Sequence, residues 1–348
     1  MPGALFHAPT VCSLMGSSLS LSKPRSTLSS PPMASSSARI AVVGDVHNDW
    51  CLEEDTKALR LLQPDLVLFT GDFGEENVAL VQSLANLEFP KAVILGNHDA
   101  WYTQRFSGKK KDGVQRQLES LGDAHVAYQC VDFPLVKLSV VGGRPFSCGG
   151  EKLFRKKLLS ARYGVEDMDR SAKRICKAAL SAPEDHLVIL LAHNGPTGLG
   201  SNLDDICGKD WVYGGGDHGD QDLEKAISLI NESSKVSVPL IVFGHMHKEL
   251  AHRKGLRKMI VIGSDDTIYL NGAVVPRVKT LNDKQATNSS FTKDEVHPSL
   301  PESEGTKRAF TIVDILDGRV DKIAESWVSV VGDESTLEEE HVLFKRSN

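Results

Sequence analysis

Apolar runs of strand length recur along the chain from residue 40, and each is followed at once by polar residues. The runs are rich in β-branched and aliphatic side chains and span four or five positions, which is typical of buried strands. They lie at Ile40 to Val43, Leu66 to Phe69, Ala92 to Leu95, Leu187 to Leu191 and Leu240 to Phe243. The pattern therefore predicts a set of buried strands whose carboxyl ends carry Asp, Asn and His.

Helical periodicity appears between the first of these strands. Apolar residues recur every three or four positions in Leu52 to Leu62 and in Glu76 to Leu87, which predicts two amphipathic helices. Units of strand, helix and strand imply parallel strands, and ligands of α/β sheets collect at the carboxyl ends of such strands. The pattern thus predicts an α/β fold with its site at one edge of the sheet.

The alternation is less regular beyond Asp99. The next elements are predicted as a helix at Val114 to Leu121, a strand at Leu138 to Val141 and a helix at Ser171 to Leu180. After His247, apolar runs predict a second, antiparallel layer made of Met259 to Ile262, Thr267 to Leu270, Phe310 to Ile315 and Arg319 to Ile323. The Asp317-Gly318 pair predicts a hairpin turn between the last two strands.

Residues 1–38 differ from the rest of the chain. They are crowded with serine and contain no acidic residue, which is typical of an organelle transit peptide, and their scarcity of arginine favours the chloroplast over the mitochondrion. A plain disordered tail is the alternative, and Met33 offers a second start that would give a cytosolic form. We expect an organellar protein and exclude this segment from the fold.

Two further boundaries follow from composition. Residues 282–307 are rich in Ser, Thr, Asn, Pro and charge, which predicts a disordered insertion. The domain is expected to span residues 39–330, and residues 331–348 are expected to form a C-terminal tail.

Composition excludes several classes of protein. The 348 residues are 41% hydrophobic and 25% charged, as in ordinary soluble domains, and a net charge of -6 gives no reason to expect nucleic acid as an obligate partner. No run approaches the roughly 18 apolar residues of a membrane span, so no membrane partner is expected. Six cysteines without a C-x-x-C pair argue against a zinc ribbon or a disulfide framework and favour a reducing compartment.

The polar segments behind the five strands share one kind of chemistry. They supply carboxylate, amide and imidazole groups, which are oxygen and nitrogen ligands that divalent first-row metals accept without a thiolate. In chain order they are Asp45-Val46-His47, Gly71-Asp72, Gly96-Asn97-His98-Asp99, Ala192-His193-Asn194 and Gly244-His245-Met246-His247. Each segment alone is more often a turn or a helix cap. Their joint occurrence behind predicted strands indicates a two-metal site.

In this order the segments resemble the calcineurin-like metallophosphoesterase superfamily, over roughly Arg39 to Trp327. The resemblance implies a four-layer αββα sandwich of two mixed β-sheets flanked by helices. It also implies two divalent metal ions, of Mn, Fe or Zn, and a bridging hydroxide that attacks a phosphoester substrate. Together with the leader, it suggests a plant or cyanobacterial type of member.

The resemblance also assigns roles to individual residues. The implied ligands of the first metal are Asp45, His47 and His247, those of the second are Asn97, His193 and His245, and Asp72 bridges both. The resemblance assigns catalytic roles to His98, which would lie beside the leaving group, and to Asp99 behind it. Many members carry a second aspartate three residues after the Gly-Asp pair. This chain has Glu75 there, which we leave out of the ligand set.

Several residues near these segments are candidates for substrate contact. Arg144 would clamp the substrate phosphate, although a surface ion pair is an equal alternative. The glycine-rich loop from Asn194 to Gly219 is expected to form the substrate rim, and it carries Asp210, Asp217 and His218, for which structural roles are favoured. Trp101 and Tyr102 would stack on a base or an aromatic leaving group, with core packing as the favoured alternative.

Three classes of function fit this set of residues. The first is a metal-dependent phosphoric ester hydrolase that acts on a monoester or a diester. The second is a Ser/Thr protein phosphatase of the same superfamily, which ranks lower because Leu95 precedes Gly96 where those enzymes carry an arginine. The third is a non-catalytic binding scaffold, which typically loses site residues that are intact here.

Overall fold

The structure is a computed structural model that describes residues 37–233, 235–251, 255–281 and 305–347. Nearly all of the predicted leader and residues 282–304 of the predicted insertion lie outside the described residues. The last residues of that predicted insertion are ordered instead, because Thr306 and Lys307 begin a long strand.

The described residues form thirteen strands and six α-helices. The strands are β1 (Ser37–Val43), β2 (Leu66–Phe69), β3 (Lys91–Val93), β4 (Cys130–Phe133), β5 (Leu138–Gly142), β6 (Leu187–Leu191), β7 (Leu240–Phe243), β8 (Ile260–Ile262), β9 (Ile268–Asn271), β10 (Val278–Thr280), β11 (Thr306–Leu316), β12 (Arg319–Val331) and β13 (Glu334–Lys345). The helices are α1 (Leu52–Leu62), α2 (Val78–Ala85), α3 (Gly113–Leu121), α4 (Lys156–Tyr163), α5 (Met168–Ala179) and α6 (Gln221–Ser233).

The strands form two mixed sheets. The first sheet has the order β13-β12-β11-β1-β2-β3, with β10 paired to β11, and the second has the order β4-β5-β6-β7-β9-β8. In the first sheet β1, β2 and β3 are parallel, and β5, β6, β7 and β9 are parallel in the second. Helix α1 packs on the first sheet and α5 on the second. This is the predicted sandwich of two mixed sheets with flanking helices.

Successive side chains of each strand point to opposite faces, which explains how one face of each sheet packs against the other sheet. Leu66 and Leu68 of β2 pack in one apolar cluster with Ile189 of β6, whereas Phe69 packs in another cluster with Leu59 of α1. Successive side chains of a strand point to opposite faces, so both faces of β2 are buried. A strand buried on both faces needs a continuous apolar run, which is why these strands could be located in the sequence.

The predicted second layer after His247 is wrong in its composition. The runs near residues 260 and 268 become β8 and β9, which extend the second sheet, and β9 runs parallel to β7. The runs near residues 310 and 319 become β11 and β12, which extend the first sheet, with Val313 of β11 paired to Ile40 of β1. Apolar periodicity identifies a strand but does not identify its neighbour. The predicted hairpin is confirmed, since Asp317 and Gly318 have φ of 49° and 78°.

The chain after residue 330 does not form the predicted tail. Residues Glu334–Lys345 form β13, which pairs with β12 along its length and closes one edge of the first sheet. Most of its side chains are exposed and many are glutamate. Charged side chains are typical of an edge strand, because they discourage pairing with another chain. Because β13 is polar, apolar runs in the sequence do not predict it.

Two general properties follow from the described residues. None of the helices seen there combines the length and the apolar character needed to cross a lipid bilayer. The five cysteines that lie in the described ranges are all free thiols, which agrees with the absence of a disulfide pattern in the sequence.

Candidate metal centre

The five polar segments meet at the carboxyl ends of parallel strands from both sheets. Asp45 follows β1, Asp72 follows β2 and Asn97 follows β3 in the first sheet, while His193 follows β6 and His245 follows β7 in the second. The strand ends are adjacent because β1, β2 and β3 are neighbours, as are β6 and β7. The site thus lies where the carboxyl ends of the parallel strands of the two sheets come together.

One group of possible ligands contains Asp45, His47 and His247. Each offers one ligand atom, and these atoms lie within 4.8 Å of one another. The Nε2 atom of His247 lies 3.4 Å from Oδ2 of Asp45 and 3.0 Å from Nε2 of His47. These are the residues that the resemblance assigned to the first metal.

A second group contains Asp72, His193 and His245, again with ligand atoms within 4.8 Å of one another. The Nε2 atom of His193 lies 3.4 Å from Oδ1 of Asp72 and 2.9 Å from Oδ1 of Asn97. The two groups are adjacent, since the backbone N–H of His245, from the second group, donates to Oδ1 of Asp45, from the first, at 3.0 Å. The structure therefore brings together every side chain of the predicted ligand set.

The protonation pattern of the site fits cation binding. The Nδ1 atom of His193 lies 2.7 Å from the carbonyl oxygen of Thr70, which only accepts, so Nδ1 carries the proton in that bond. Nε2 faces the oxygens of Asn97 and Asp72 and would offer its lone pair there once a bound metal displaces the proton that it carries. A histidine whose other nitrogen donates to a carbonyl is the usual arrangement of a metal ligand. Oδ2 of Asp45 is also buried without a hydrogen-bond partner. These features fit two divalent cations.

Charge in the site follows from burial and close pairing. Burial opposes ionisation of Asp72, but the neighbouring His193 imidazolium outweighs burial and lowers the pKa of Asp72. Burial likewise opposes the charged form of His193, yet Asp72 raises the pKa of His193 to about 10. Burial, together with the neighbouring positive charge of His193, lowers the pKa of His245 to about 3. Two ionised carboxylates in a buried pocket attract cations strongly.

The backbone of the ligand segments takes up a rarely populated conformation. The φ values of Asp45, His47, Asp72 and His245 are 46°, 44°, 53° and 67°. Residues other than glycine avoid this region at a cost of the order of 1–3 kcal/mol each, and such residues cluster at functional sites. The sharp turns that result aim the side chains across the strand ends.

Glycine at position 96 allows Asp72 and His193 to pack closely against the Asn97 segment. A Cβ atom there would lie 2.2 Å from Oδ1 of Asp72 and 2.5 Å from Cε1 of His193. Position 244 is similarly crowded, since a Cβ atom would lie 2.2 Å from Oδ1 of Asp45. The glycines of the two segments therefore serve close packing of ligands.

His98 and Asp99 take different roles from each other. The imidazole of His98 lies at the mouth of the site, 29% exposed, with Nε2 at 4.0 Å from Oδ2 of Asp72. Asp99 is buried, and its carboxylate accepts hydrogen bonds from the backbone N–H groups of Asp72, Phe73 and Gly96 at 2.7–2.9 Å. The prediction that Asp99 is catalytic is therefore corrected. It holds two ligand loops together.

Sequence comparison identifies the family. A profile of the calcineurin-like phosphoesterase family matches residues 38–249, a range that contains every side chain of both ligand groups. The chain belongs to this family. No curated protein matches the sequence at a significant level.

Solved structures that are similar to this chain share little sequence identity with it. A dimetal phosphatase from Danio rerio is 10% identical, with 89% of this chain and 99% of that chain covered and a TM-score of 0.47. GAP50, the anchor in the inner membrane complex of Plasmodium, is 11% identical. The alignment covers 90% of this chain and 90% of that chain, with a TM-score of 0.40. A predicted phosphoesterase from Streptococcus pneumoniae is 12% identical, with 88% and 98% covered and a TM-score of 0.31.

Arg144 does not line the phosphoesterase site as a substrate clamp. Its side chain is 1% exposed and forms ion pairs with Asp220 at 2.7 Å and Asp222 at 2.9 Å. Ser147 donates to the same carboxylate of Asp220 at 2.6 Å. The alternative of an ion pair is correct, although the pair is buried. The partners could not be predicted from a local pattern, because they lie more than 70 residues away along the chain.

A cleft of about 370 Å³ opens beside the ligands. Its lining includes His98, His245 and His247 and, from the loop that was predicted to form the rim, Asp210, Trp211 and His218. The loop therefore lines the cleft at these three positions, and its role as the substrate rim stays a prediction. Sequence analysis did not single out Trp211, Cys148 or Arg257, which also line the cleft.

The aromatic pair after Asp99 lies at the surface. Trp101 is 42% exposed and its ring stacks on His98, with centroids 4.8 Å apart and planes 6° apart. Tyr102 is 66% exposed, and its hydroxyl donates to Glu75 at 2.7 Å. The favoured alternative of core packing is wrong for both residues. The side chain of Glu75 bonds to Tyr102, which agrees with its exclusion from the ligand set.

Proposed function

We propose that this chain is a dinuclear metal-dependent phosphoesterase that hydrolyses phosphoric ester bonds. The observation that supports this most is the convergence of two ligand groups, Asp45 with His47 and His247, and Asp72 with His193 and His245. The hydrogen bond from Nδ1 of His193 to Thr70 leaves Nε2, which faces Asp72 and Asn97, as the nitrogen that a metal would take. Stability of the fold alone does not call for carboxylates and imidazoles packed this closely.

The donor set fits Mn, Fe or Zn, all of which accept oxygen and nitrogen ligands. When bound, two such ions lower the pKa of a coordinated water towards neutrality and hold the phosphoryl oxygens for in-line attack. The residues that would hold them are Asp45, His47 and His247 on one side, Asn97, His193 and His245 on the other, and Asp72 between the two groups.

The protein residues also set the charge that a substrate meets. Asp45 and Asp72 bring two negative charges, whereas two divalent cations bring four positive charges. The loaded site is therefore positive and attracts an anionic phosphoester. Its position at the end of an open cleft leaves room for the alcohol part of the ester.

His98 is placed to assist the leaving group. Its imidazole is partly exposed at the mouth of the site, and the stacked ring of Trp101 fixes its orientation. The backbone N–H of His98 donates to Oδ1 of Asp72 at 2.9 Å, which ties the residue to the ligand loop. We propose that this side chain donates a proton or a hydrogen bond to the leaving oxygen as the ester bond breaks.

The test is hydrolysis by the purified protein after reconstitution with Mn²⁺. We expect turnover of p-nitrophenyl phosphate or bis-p-nitrophenyl phosphate that EDTA abolishes and that His47→Ala lowers strongly. His341→Ala, which changes an exposed histidine on β13, is the matched control and should behave as wild type. Turnover of a phosphoserine peptide alone would favour a protein phosphatase instead. No turnover with Mn²⁺, Fe²⁺ or Zn²⁺ at full metal content would overturn the proposal and favour a binding scaffold.

A further inference from the structure

A half-exposed tryptophan stands in the wall of the catalytic cleft. Trp211 is 46% exposed and lies on the loop between β6 and α6. Its ring meets the ring of His218 edge to face, with centroids 4.9 Å apart and planes 86° apart. His218 in turn stacks on the metal-ligand candidate His245, with centroids 5.7 Å apart and planes 24° apart. A continuous series of rings thus runs from Trp211 to the metal centre.

The loop is held firmly against the ligand segment. Arg257 donates through Nε to the carbonyl oxygen of His247 at 3.0 Å and through Nη1 to the carbonyl oxygen of Gly208 at 2.7 Å. Asp210, directly before the tryptophan, accepts a hydrogen bond from the backbone N–H of Ala251 at 2.5 Å. These bonds fix the base of the loop, so Trp211 lies at a set distance from the metal ligands.

His218 is fixed in the same way through its backbone. Its N–H donates to the carbonyl oxygen of Cys207 at 2.9 Å, and its own carbonyl oxygen accepts from Nδ2 of Asn194 at 2.8 Å. Asn194 directly follows His193. The ring of His218 is therefore a rigid support between the indole of Trp211 and the ligand His245.

An indole held by a rigid loop at the mouth of a metal cleft fits one kind of ligand especially well. Large aromatic side chains are usually buried, and an exposed one in a cleft offers a flat surface for stacking. Every nucleobase has a flat aromatic face that stacks on such a ring. The position beside His98 and His247 lets the same ligand place a phosphoryl group at the metal centre.

We propose that the substrate carries a planar aromatic group, of the kind found in a nucleotide, and that Trp211 is the specificity residue that stacks on it. This inference rests on the proposed phosphoesterase function. It goes further because it names the class of substrate.

The test compares pairs of phosphoesters that differ only in the base. Adenosine 5′-monophosphate and ribose 5-phosphate have the same leaving oxygen, and their 5′-methyl esters form the matching pair of diesters. We expect the Mn²⁺-loaded wild type to prefer the adenosine member in kcat/KM by about tenfold or more, as removal of one stacked base changes binding by that order. Trp211→Ala should bring the ratio close to one, mainly through a higher KM for the adenosine compound. Trp211→Phe should restore part of the preference.

Tyr213→Ala is the control, because Tyr213 lies on the same loop, is 95% exposed and makes no hydrogen bond or ring contact with the described residues. It should keep the wild-type ratio. A wild type without preference, or a ratio unchanged in Trp211→Ala, would overturn the inference.

Failure of the proposed function gives a different result. If neither member of a pair is hydrolysed with any metal, binding of the two monophosphates to the Mn²⁺-loaded protein is measured by calorimetry. Tighter binding of adenosine 5′-monophosphate that Trp211→Ala abolishes would support the inference without catalysis. Equal binding, or no binding of either compound, would overturn it.

Discussion

The Nε2 atoms of His47 and His247 lie 3.0 Å apart, although 200 residues separate them in the chain. Their rings meet edge to face, with planes 74° apart. Oδ2 of Asp45 lies 3.4 Å from the same atom of His247. Two nitrogens at this distance share at most one proton. A cation bound by both nitrogens would replace that proton and would join the first and the last ligand segments of the domain.

Metal binding should therefore stabilise the fold. A ligand at one hundred times its dissociation constant raises the free energy of unfolding by about 2.7 kcal/mol for each site. We expect the thermal midpoint to rise with Mn²⁺ and to fall when EDTA removes the metal. His47→Ala should reduce the rise, as measured by calorimetry. An identical midpoint with and without metal would count against the site.

Loss of His98 should slow catalysis without loss of metal. Removal of a general acid typically costs about 10² to 10⁴-fold in rate. We expect His98→Ala to lower kcat by this order for alkyl phosphoesters, and by less for p-nitrophenyl esters, whose leaving group needs little help. The measurement compares kcat of His98→Ala and wild type for the two ester classes, together with the metal content of both proteins. An equal loss for both classes at full metal content would assign His98 a role in binding.

Gly96→Ala should disrupt the metal centre. The new methyl group would clash with Oδ1 of Asp72 and with the ring of His193, and overpacking of this kind costs typically about 1–3 kcal/mol. We expect lower metal content and lower activity in a protein that remains folded. Gly108→Ala is the control, because a Cβ atom at position 108 meets no described atom within 4 Å. If both variants retained full metal content, the argument from close packing would fail.

A buried histidine away from the ligands should make stability depend on pH. His125 is 3% exposed, its Nε2 has no hydrogen-bond partner, and burial lowers its pKa to about 3. The unfolded chain has a histidine pKa near about 6.5 and so binds more protons between the two values. The contribution of His125 to the free energy of unfolding is therefore fully present above about pH 6.5. It is lost as the pH falls towards about 3, by up to about 1.4 kcal/mol per pH unit.

Urea unfolding of His125→Gln and wild type between pH 4 and 7 tests this prediction. The variant should show a shallower fall in the free energy of unfolding with acid. His341→Gln serves as the control, because its side chain is 59% exposed. Equal slopes for His125→Gln and wild type would show that other groups cause the acid sensitivity.

Much of the fold could be predicted because the inner strands are buried on both faces. The runs at Leu66–Phe69, Leu187–Leu191 and Leu240–Phe243 match β2, β6 and β7 residue for residue. A continuous apolar run identifies the strand, and the polar segment directly behind it identifies the residue where the strand ends. Helix α1 also matches, since its apolar positions follow the helical period.

Other features could not be predicted because they depend on distant partners. The sequence leaves Arg144 open between a phosphate clamp and an ion pair, because its partners Asp220 and Asp222 are set only by the folded chain. Asp99 lies beside His98 in sequence, yet its carboxylate turns to backbone N–H groups, among them that of Asp72. Local pattern cannot show these choices, because the direction of a side chain follows from tertiary contacts.

The central claim is that the chain holds two metal ions between its two ligand groups, and metal analysis of the purified protein tests it most directly. Reconstitution with Mn²⁺ followed by removal of free metal and mass spectrometric metal analysis should give two ions per chain. Asp72→Ala, which removes the carboxylate of the second group, should give one ion or none. A wild-type protein that binds at most one ion, or a stoichiometry unchanged in Asp72→Ala, would contradict the account.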